Sequence, residues 1–381
     1  MSIKSIHDTL PVEHPVATAI GQWYDQHQRD LPWRHTHDPY LIWLSEIILQ
    51  QTRVVQGHDY YLRFVKAFPR VADLAAATED EVLKLWQGLG YYSRARNLHA
   101  AARQVMEWPD RPTDDPAWFP HRYADVIRLK GVGPYTAAAI ASLSADERVA
   151  VVDGNVYRVL SRLMDLGTPI DSTQGAKEFQ ALADSLLPPA HCGRHNQAMM
   201  ELGAMVCTPT SPTCQECPLA DRCMALANGT IELRPVKQGK VKVRQRHLSY
   251  YIFKYEKSLY VHQRKAGDIW QGLWEFYLIE EGEVDGSDKK GIGQERENEN
   301  LHRMTAIDQL LSSPAVGSVT PLLSRKHLLT HQTLLADFIL VELNAGISLG
   351  ADFRCVTWDE WQNLAVPKLI SDANLALSVH F

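Results

Sequence analysis

The chain has 381 residues, of which 45% are hydrophobic and 22% charged, and this length is enough for two or three compact domains. The composition excludes a disordered chain, and no apolar run approaches the roughly 18 residues that a membrane span needs. Residues 1–14 lack the apolar core of a signal peptide, so we expect a cytoplasmic protein without membrane contact. The net charge of −6 does not by itself indicate a nucleic-acid partner.

Helical periodicity dominates residues 15 to about 226, and the first distinctive stretch within it is Leu41–Val54. Glu46 is the only acid in this strongly apolar stretch. Burial would raise the pKa of such a carboxyl and favour the neutral form, which can donate a proton. A single Glu on an apolar helix can equally lie partly exposed at a turn, and the residues alone leave both possibilities open.

Two glycines interrupt the helical pattern in the stretch Leu129–Leu143, where Gly131 and Gly133 precede an Ala-rich segment. Glycine allows the backbone to turn sharply and to approach a ligand closely. The free N–H groups at the start of the following helix would suit a phosphate. A tight turn between two helices, without any ligand, is the structural alternative.

Asp153 follows a short apolar run and stands where the next helix is predicted to begin. Its carboxylate could simply cap that helix. The helix dipole would also keep it ionised, so that it could stabilise positive charge on a reacting sugar. Together, Glu46 and Asp153 would form the acid and anion pair found in enzymes that cleave glycosidic bonds.

Four cysteines, Cys207, Cys214, Cys217 and Cys223, follow in the spacing Cys-x6-Cys-x2-Cys-x5-Cys. Four thiolates in one short Pro-rich loop can hold either an iron–sulfur cluster or a tetrahedral zinc ion. The spacing alone does not decide between them. The two remaining cysteines, at 192 and 355, are expected to be ordinary buried thiols.

A basic stretch at Arg234–Arg246 separates the helical part from a part of different character. From Leu248 onward, aromatic and β-branched residues alternate with polar ones, which is typical of strands. We therefore expect a helical region at 1–230, a basic linker at 231–246 and a smaller α+β domain at 247–381. The basic stretch could contact phosphates or could be only a solvated linker.

The motifs occur in the order LPWR at Leu31–Arg34, SEIILQQT, GLGYYSRARNL, GVGPYTAAAI, VVDGNVYRVLSR, ELGAMVC and the four-cysteine loop. In this combination the chain resembles the MutY-type adenine DNA glycosylases of the helix-hairpin-helix superfamily, which also includes endonuclease III. The resemblance implies a multidomain protein: an all-α helix-hairpin-helix glycosylase, made of a six-helix barrel module and an iron–sulfur module, plus an α+β Nudix-like C-terminal domain. It also implies a [4Fe–4S] cluster rather than zinc.

The resemblance implies a monofunctional enzyme that removes adenine mispaired with 8-oxoguanine or guanine in base excision repair. Glu46 matches the general acid that protonates the adenine ring, and Asp153 matches the carboxylate that stabilises the oxocarbenium-like intermediate. Asn155 matches a hydrogen-bonding partner of this pair. Tyr135 stands where bifunctional relatives have the Lys that forms a Schiff base, so an efficient lyase step is not expected.

The resemblance also assigns residues to DNA recognition. Gln51 and Thr52 match residues that enter the double helix beside the lesion, and Leu89 and Tyr91 match side chains that contact or wedge beside 8-oxoguanine. The positions expected to bind the target adenine and nearby DNA are Arg29, Trp33, Arg34 and Gln197, with Gly131 and Gly133 in the hairpin and Thr330 and His331 in the lesion-reading loop.

Two departures from the family pattern concern DNA binding. The loop HLLTH, His327 to His331, has Leu329 and Thr330 where the family often has Phe and Ser. Thr keeps a hydroxyl for hydrogen bonding but adds a methyl group. The six residues TPTSPT between the first two cluster cysteines contain no Lys or Arg, although relatives often place basic residues there.

The C-terminal domain lacks the Arg-Glu-x-x-Glu-Glu core of Nudix hydrolases, so we expect a recognition module without hydrolase activity. The expected partner is double-stranded DNA containing adenine opposite 8-oxoguanine, bound by a monomer that is nucleoid-associated if bacterial. Three alternatives remain: an endonuclease III-like glycosylase/lyase acting on oxidised pyrimidines, a non-catalytic iron–sulfur DNA-binding protein, and a Nudix hydrolase with a helical appendage.

Overall fold

The computed structural model describes residues 14–239, 243–281 and 292–381. Contacts within the chain divide it into two compact units. The first contains the described residues up to Ala75 together with residues 100–239, and the second contains residues 76–99 together with those after 239. The boundaries predicted at 230 and 246 stay predictions. Residues 1–13, in which a signal peptide was sought, and Lys240 and Lys242 of the basic stretch lie outside the described residues.

Helices and short connections make up the chain from residue 15 to residue 227. Short 3-10 turns occur at Pro32–Arg34, Cys214–Glu216, Ala220–Arg222 and Ile231–Leu233. The helices are α1 (Pro15–His27), α2 (Pro39–Leu49), α3 (Val54–Ala67), α4 (Val71–Ala76), α5 (Glu79–Trp86), α6 (Ser93–Met106), α7 (Tyr123–Val126), α8 (Pro134–Ala145), α9 (Gly154–Leu163), α10 (Thr173–Leu186), α11 (Cys192–Met205) and α12 (Met224–Ala227).

Side-chain caps fix where several of these helices begin. Asp38 accepts a hydrogen bond from the Tyr40 N–H at the start of α2, and Ser172 does the same for Gly175 at the start of α10. Thr78 and Glu81 form a capping box on α5. Each cap satisfies backbone donors that the first helical turn would otherwise leave unpaired.

The core of the first unit lies between α1, α9, α10 and α11. Ile20, Leu160, Phe179 and Leu202 have no exposed surface and belong to one apolar cluster. The cluster continues to the cysteine loop, because Cys207 packs against it. The helix that begins at Asp153 and the cysteine loop therefore share one close-packed core.

A seven-stranded mixed sheet forms the body of the second unit. Its main path runs β3-β2-β1-β6-β5, with β4 paired to β1 and β7 paired to β2. β1 and β6 are parallel, and the other pairs are antiparallel. The elements are β1 (Arg244–Tyr255), β2 (Ser258–Gln263), β3 (Trp274–Glu275), β4 (Tyr277–Glu281), α13 (Ile292–Leu311), β5 (Val316–Leu328), β6 (Gln332–Leu343), β7 (Phe353–Thr357), α14 (Trp358–Asn363) and α15 (Lys368–Ser378).

Two features differ from what the sequence led us to expect. β1 begins at Arg244, inside the stretch assigned to the linker, and Arg246 is buried with ion pairs to Asp268 and Glu280. Cys355 is exposed, so the prediction of a buried thiol there was wrong, whereas Cys192 is buried. Within the described ranges, no helix has both the length and the apolar character to cross a bilayer.

Candidate active site

A cavity of about 850 Å³ opens in the first unit and is lined by residues of α2, α3, α8, α9 and α11 and of the segments beside them. Glu46 and Asp153 both line it, although they are far apart in the sequence. Ten of the predicted site residues meet there: Arg29, Trp33, Arg34, Glu46, Gln51, Thr52, Tyr135, Asp153, Asn155 and Gln197.

Glu46 lies near the end of α2 and is partly buried at the wall of the cavity. Its Oε2 accepts a hydrogen bond of 2.6 Å from the Tyr135 hydroxyl. Burial raises the pKa of Glu46 to about 7; the Tyr135 hydrogen bond opposes this shift and the negative charge of Asp153 adds to it. A substantial fraction of Glu46 is therefore protonated near neutral pH, as a general acid requires.

Asp153 is the N-cap of α9, as the sequence predicted. Its Oδ1 accepts from the Val156 N–H at 2.7 Å, and its Oδ2 accepts from the Asn155 side-chain amide at 2.8 Å. Burial raises the pKa of Asp153 above its ordinary 3.8, and these hydrogen bonds, together with the positive charge of Arg158, oppose that shift without cancelling it. Burial thus makes Asp153 less readily ionised than its place at the helix terminus led us to expect.

Arg158, which sequence reasoning missed, links this carboxylate to the cysteine loop. It donates to the Asn155 side-chain oxygen at 2.9 Å, to the Gly203 carbonyl at 2.6 Å and to the Cys207 carbonyl at 2.6 Å. Asn155 in turn holds Asp153. A displacement of the cysteine loop would therefore reach the Asp153 carboxylate through two hydrogen-bonded side chains.

Glu201 is a second residue that the sequence analysis did not identify. It is 1% exposed and binds Arg29 and Arg34, with its Oε2 2.6 and 2.7 Å from their guanidinium nitrogens. Burial by itself would raise the pKa of Glu201, but the hydrogen bonds from both arginines outweigh it and lower the pKa to about 2. The signal was present, because Glu201 begins the motif ELGAMVC as a single acid before apolar residues, as in the argument for Glu46.

The remaining wall of the cavity has an aromatic and an amide component. The Trp33 ring meets the Tyr61 ring edge to face at 5.3 Å between centroids. Gln197 accepts a hydrogen bond from the Tyr24 hydroxyl through its side-chain oxygen. These contacts fix the Trp33 ring and the Gln197 amide, so the cavity wall combines a planar apolar surface with a directed polar group.

The predicted hairpin is formed by α7, a turn and α8. Gly131 has a φ of +78°, a conformation that disfavours other residues. Gly133 is the N-cap of α8, has no side-chain cap and has open space where a Cβ would stand. Neither glycine lines the cavity of the carboxylates. Gly131 is exposed and Gly133 is partly exposed, so the start of this helix suits an anion such as a phosphate.

The four cysteines of the loop are partly buried, as free thiols, around two short 3-10 turns. Burial raises the pKa of Cys217 to about 11; the Leu219 N–H opposes this and the other three thiols add to it. Four mutually repelling thiolates need a compensating positive charge, which a bound metal group would supply. Arg162 lies 3.4 Å from the Cys207 sulfur.

The chemistry of the four thiols suits either a single metal ion or an iron–sulfur cluster. Among the described residues, no three Cys, His, Asp or Glu side chains converge closely enough to hold one ion. Zinc would require sulfurs about 2.3 Å from a common centre. A donor set of four thiols also fits an iron–sulfur cluster, whose irons each take one thiolate.

The second unit contains its own cavity of about 430 Å³, which brings together Tyr91, Thr330 and His331. The hydroxyl groups of Tyr91 and Thr330 are hydrogen-bonded to each other. Tyr91 is 45% exposed, whereas Leu89 is 7% exposed and packs inward. Of the two predicted wedge residues, Tyr91 is therefore the accessible one in this structure.

Family models and curated relatives agree with this architecture. Residues 44–189 match the HhH-GPD superfamily base excision DNA repair protein model, and residues 249–373 match a NUDIX domain model. The adenine DNA glycosylase of Buchnera aphidicola is 34% identical over 258 residues, which cover 68% of this chain and 72% of the relative. The chain belongs to the adenine DNA glycosylase family. The family and the fold class predicted from the sequence are thereby confirmed.

A mammalian relative and a solved structure are each similar to only part of this chain. The mouse adenine DNA glycosylase is 45% identical over 213 residues, but the match covers 53% of this chain and 40% of the mouse protein. The chain thus spans less than half the length of this mammalian relative. A solved structure titled as a thermostable thymine-DNA glycosylase is 29% identical with a TM-score of 0.50, over 56% of this chain and 95% of that one.

Proposed function

We propose that the chain is a monofunctional DNA glycosylase that hydrolyses the N-glycosidic bond of adenine paired with 8-oxoguanine or guanine. The observation that carries this proposal is the pairing, in one cavity, of Asp153 with Glu46, whose pKa burial raises to about 7. Family membership supports adenine as the base that leaves.

The chemistry follows from the surroundings of the two carboxyls. Protonated Glu46 donates its proton to the adenine ring, which makes the base a better leaving group. The resulting Glu46 carboxylate is stabilised by the hydroxyl of Tyr135, 2.6 Å away. Asp153, held by Asn155, stabilises the positive charge that develops on the sugar before water adds to it.

A lyase step is not part of the proposal, because Tyr135 carries no amine that could form a Schiff base. Among the described residues that line the cavity there is no lysine. This composition disfavours the endonuclease III-like alternative. Trp33 and Gln197 would contact the adenine, and Arg29 and Arg34, fixed by Glu201, would maintain the shape and charge of its pocket.

Double-stranded DNA is the proposed partner, bound by one copy of the chain. Gly131 and Gly133 would contact phosphates at the start of α8. Gln51, with a φ of +55°, and Thr52 lie on the rim of the cavity and would enter the double helix beside the target adenine. In the second unit, the residues proposed to read 8-oxoguanine are Leu89, Tyr91, Thr330 and His331.

The cofactor proposed for the thiols of Cys207, Cys214, Cys217 and Cys223 is a [4Fe–4S] cluster, which would hold the loop in shape and leave no iron position open for substrate. Protein purified without oxygen should be yellow-brown and contain about four iron and four sulfide per chain, by the definition of the cluster. A colourless, zinc-loaded protein with full activity would refute the assignment.

A glycosylase assay on duplexes with adenine opposite 8-oxoguanine, guanine, cytosine and thymine tests the proposal. We expect adenine release that is fastest opposite 8-oxoguanine, and strand breaks only after alkali treatment. Strand cleavage at oxidised pyrimidines would favour the endonuclease III-like alternative. Tight DNA binding without release of any base would favour a non-catalytic protein.

A further inference from the structure

The loop at residues 87–92, here called the reading loop, connects α5 and α6 and carries Tyr91. Three of its residues have positive φ: Gly88 at +100°, Gly90 at +73° and Tyr91 at +47°. A tyrosine in this region of backbone space is disfavoured and persists only where surrounding contacts fix it. The contacts of the reading loop therefore determine where the Tyr91 side chain lies.

Hydrogen bonds on one side of the reading loop come from the helices that flank it. The Trp86 indole N–H donates to the Gly90 carbonyl at 3.0 Å, and Arg94 reaches the same carbonyl at 3.3 Å. The Tyr92 hydroxyl accepts from the Gly88 N–H at 3.3 Å. Tyr92 itself is only 4% exposed.

On the other side, the loop is bound to residues 362–371, which run from the end of α14 into the start of α15 and are here called the docking segment. The Tyr92 hydroxyl donates to the Val366 carbonyl at 3.4 Å, and the Val366 N–H donates to the Gln87 side chain at 3.4 Å. Lys84 donates to the carbonyls of Gln362 and Leu364 at 2.6 and 3.0 Å. One phenol thus bridges the reading loop and the docking segment.

We propose that Tyr92 and Gln87 are positioning residues that hold the reading loop on the docking segment, so that Tyr91 meets Thr330. Discrimination between 8-oxoguanine and guanine would then depend on the docking segment as well as on the loop His327–His331, which contains Thr330. This inference rests on the proposed function, because it concerns how the chain reads the base opposite adenine. Neither residue has to touch DNA for the effect to occur.

The first test is Tyr92→Phe in the full-length protein, which keeps the ring and removes only the bridging hydroxyl. We expect the ratio of single-turnover adenine release opposite 8-oxoguanine to release opposite guanine to fall about three- to tenfold, the range expected from one lost hydrogen bond. Gln87→Ala should change the ratio in the same direction. An unchanged ratio in both folded variants would overturn the proposal.

Tyr40→Phe is the matched control. Tyr40 is 1% exposed, and its hydroxyl donates to the Phe68 carbonyl at 2.7 Å in the first unit, so this change removes a similar buried phenol bond. We expect Tyr40→Phe to lower the melting temperature about as much as Tyr92→Phe but to leave the ratio unaltered. If Tyr40→Phe lowered the ratio as much as Tyr92→Phe does, the effect of Tyr92→Phe would be general destabilisation, and the proposal would be overturned.

A double-mutant cycle with Thr330→Ala separates positioning from stability. If Tyr92 acts by placing Tyr91 against Thr330, the double variant should lose no more discrimination than the stronger single variant. If the losses of discrimination from Tyr92→Phe and Thr330→Ala multiplied in the double variant, Tyr92 would not act by placing Tyr91 against Thr330. Wild-type protein in the same assay tests the proposed function separately, because failure of wild type to release adenine would reject that function, not the positioning alone.

Discussion

Glu46 and Asp153 show how two carboxyls in one cavity acquire different properties. Burial raises the pKa of both groups, but Glu46 has the Tyr135 hydroxyl as its hydrogen-bond donor, whereas Asp153 has a backbone N–H, an amide and the nearby charge of Arg158. The donors around Asp153 favour its ionised form more strongly. The difference supports a proton donor and an anion within the same site.

Glu46→Gln tests the proton donor directly. Gln has nearly the same shape, and its carbonyl oxygen can still accept a hydrogen bond from Tyr135. Its amide has no acidic proton that could be transferred to the adenine. We expect DNA binding to persist while single-turnover adenine release falls by about 10²–10⁴-fold, the usual contribution of general acid catalysis. Glu107→Gln, at an exposed carboxyl, is the control and should leave the rate unaltered. A near-normal rate for Glu46→Gln would exclude Glu46 as the acid.

The raised pKa of Glu46 also predicts a pH-dependent stability. Burial raises this pKa from 4.5 to about 7, so between these values the folded protein binds more protons than the unfolded chain. The free energy of unfolding therefore falls as pH rises through this window. Glu46→Gln removes this loss, and its melting temperature relative to wild type should increase between pH 4.5 and 7 and then level off. A pH-independent difference would contradict the raised pKa.

Residue types and motif order were enough to predict most members of the site, whereas interactions that depend on three-dimensional partners were not. Glu46 and Asp153 were identified because an acid in an apolar helix and an acid at a helix start are visible in the sequence. The motif marks Glu201 as a single acid before apolar residues, but its role in binding Arg29 and Arg34 could not be predicted, because they lie about 170 positions earlier. Arg158 looked like one of many surface arginines, although it is 9% exposed.

At the level of elements, close packing of α9 against α11 positions the Asp153 carboxylate. A Cβ on Gly203 would lie 2.6 Å from the Asn155 side chain, which is shorter than any normal contact. Glycine at this position therefore allows the two helices to approach until Asn155 can hold Asp153.

Gly203→Ala should force α9 and α11 apart and destabilise the fold by about 1–3 kcal/mol, as overpacking usually does. Because Asn155 moves with α9, adenine release should fall as well. Gly154→Ala is the matched control for stability, since its Cβ would meet no atom within 4 Å, and it should be neutral or slightly stabilising. Thermal melts of both variants measure the difference; equal melting temperatures would refute the close-approach argument.

The helices of the catalytic region and the strands after Leu248 could be predicted from hydrophobic period, because one face of each element is buried locally. The start of the sheet could not be predicted in this way. In the sequence, Arg246 resembles the other basic residues of its stretch. In the structure it lies in β1 and forms ion pairs with Asp268 and Glu280. Such partners are distant in the sequence and leave no local pattern.

At the scale of the whole molecule, the second unit is assembled from two separate stretches of chain. Residues 76–99 group with the sheet, and the Leu83 side chain lies close to Gly272. Tyr91 and Thr330, which we propose to read the lesion, thus belong to one unit, while the two carboxyls proposed to be catalytic belong to the other.

A truncation ending near Gly239 tests this arrangement. The shortened protein retains Glu46, Asp153 and the cysteine loop, so it should still remove adenine, although more slowly and with less preference for 8-oxoguanine over guanine. Leu83 and Trp86, each 0% exposed in the full chain, would lose part of their cover, so binding of an apolar dye should increase.

Thr330→Ala in the full-length protein is the companion to the truncation. It should reduce the preference for 8-oxoguanine mildly, since one hydrogen bond contributes roughly 0.5–1.5 kcal/mol, and it should not increase dye binding. Full preference in the truncated protein would show that the C-terminal elements do not read the lesion.

The discontinuous second unit also has a consequence for synthesis of the chain on the ribosome. Residues 76–99 emerge well before residue 240, where the remainder of their unit begins. At about 5–20 residues per second, they wait on the order of ten seconds for their partners, with apolar side chains such as Leu83 and Trp86 uncovered. This interval is the period in which a nascent chain is most open to chaperones and proteases. A circular permutant that begins at residue 240 would leave only residues 1–75 between the two stretches of the second unit, in place of residues 100–239, and should give a higher yield of soluble protein.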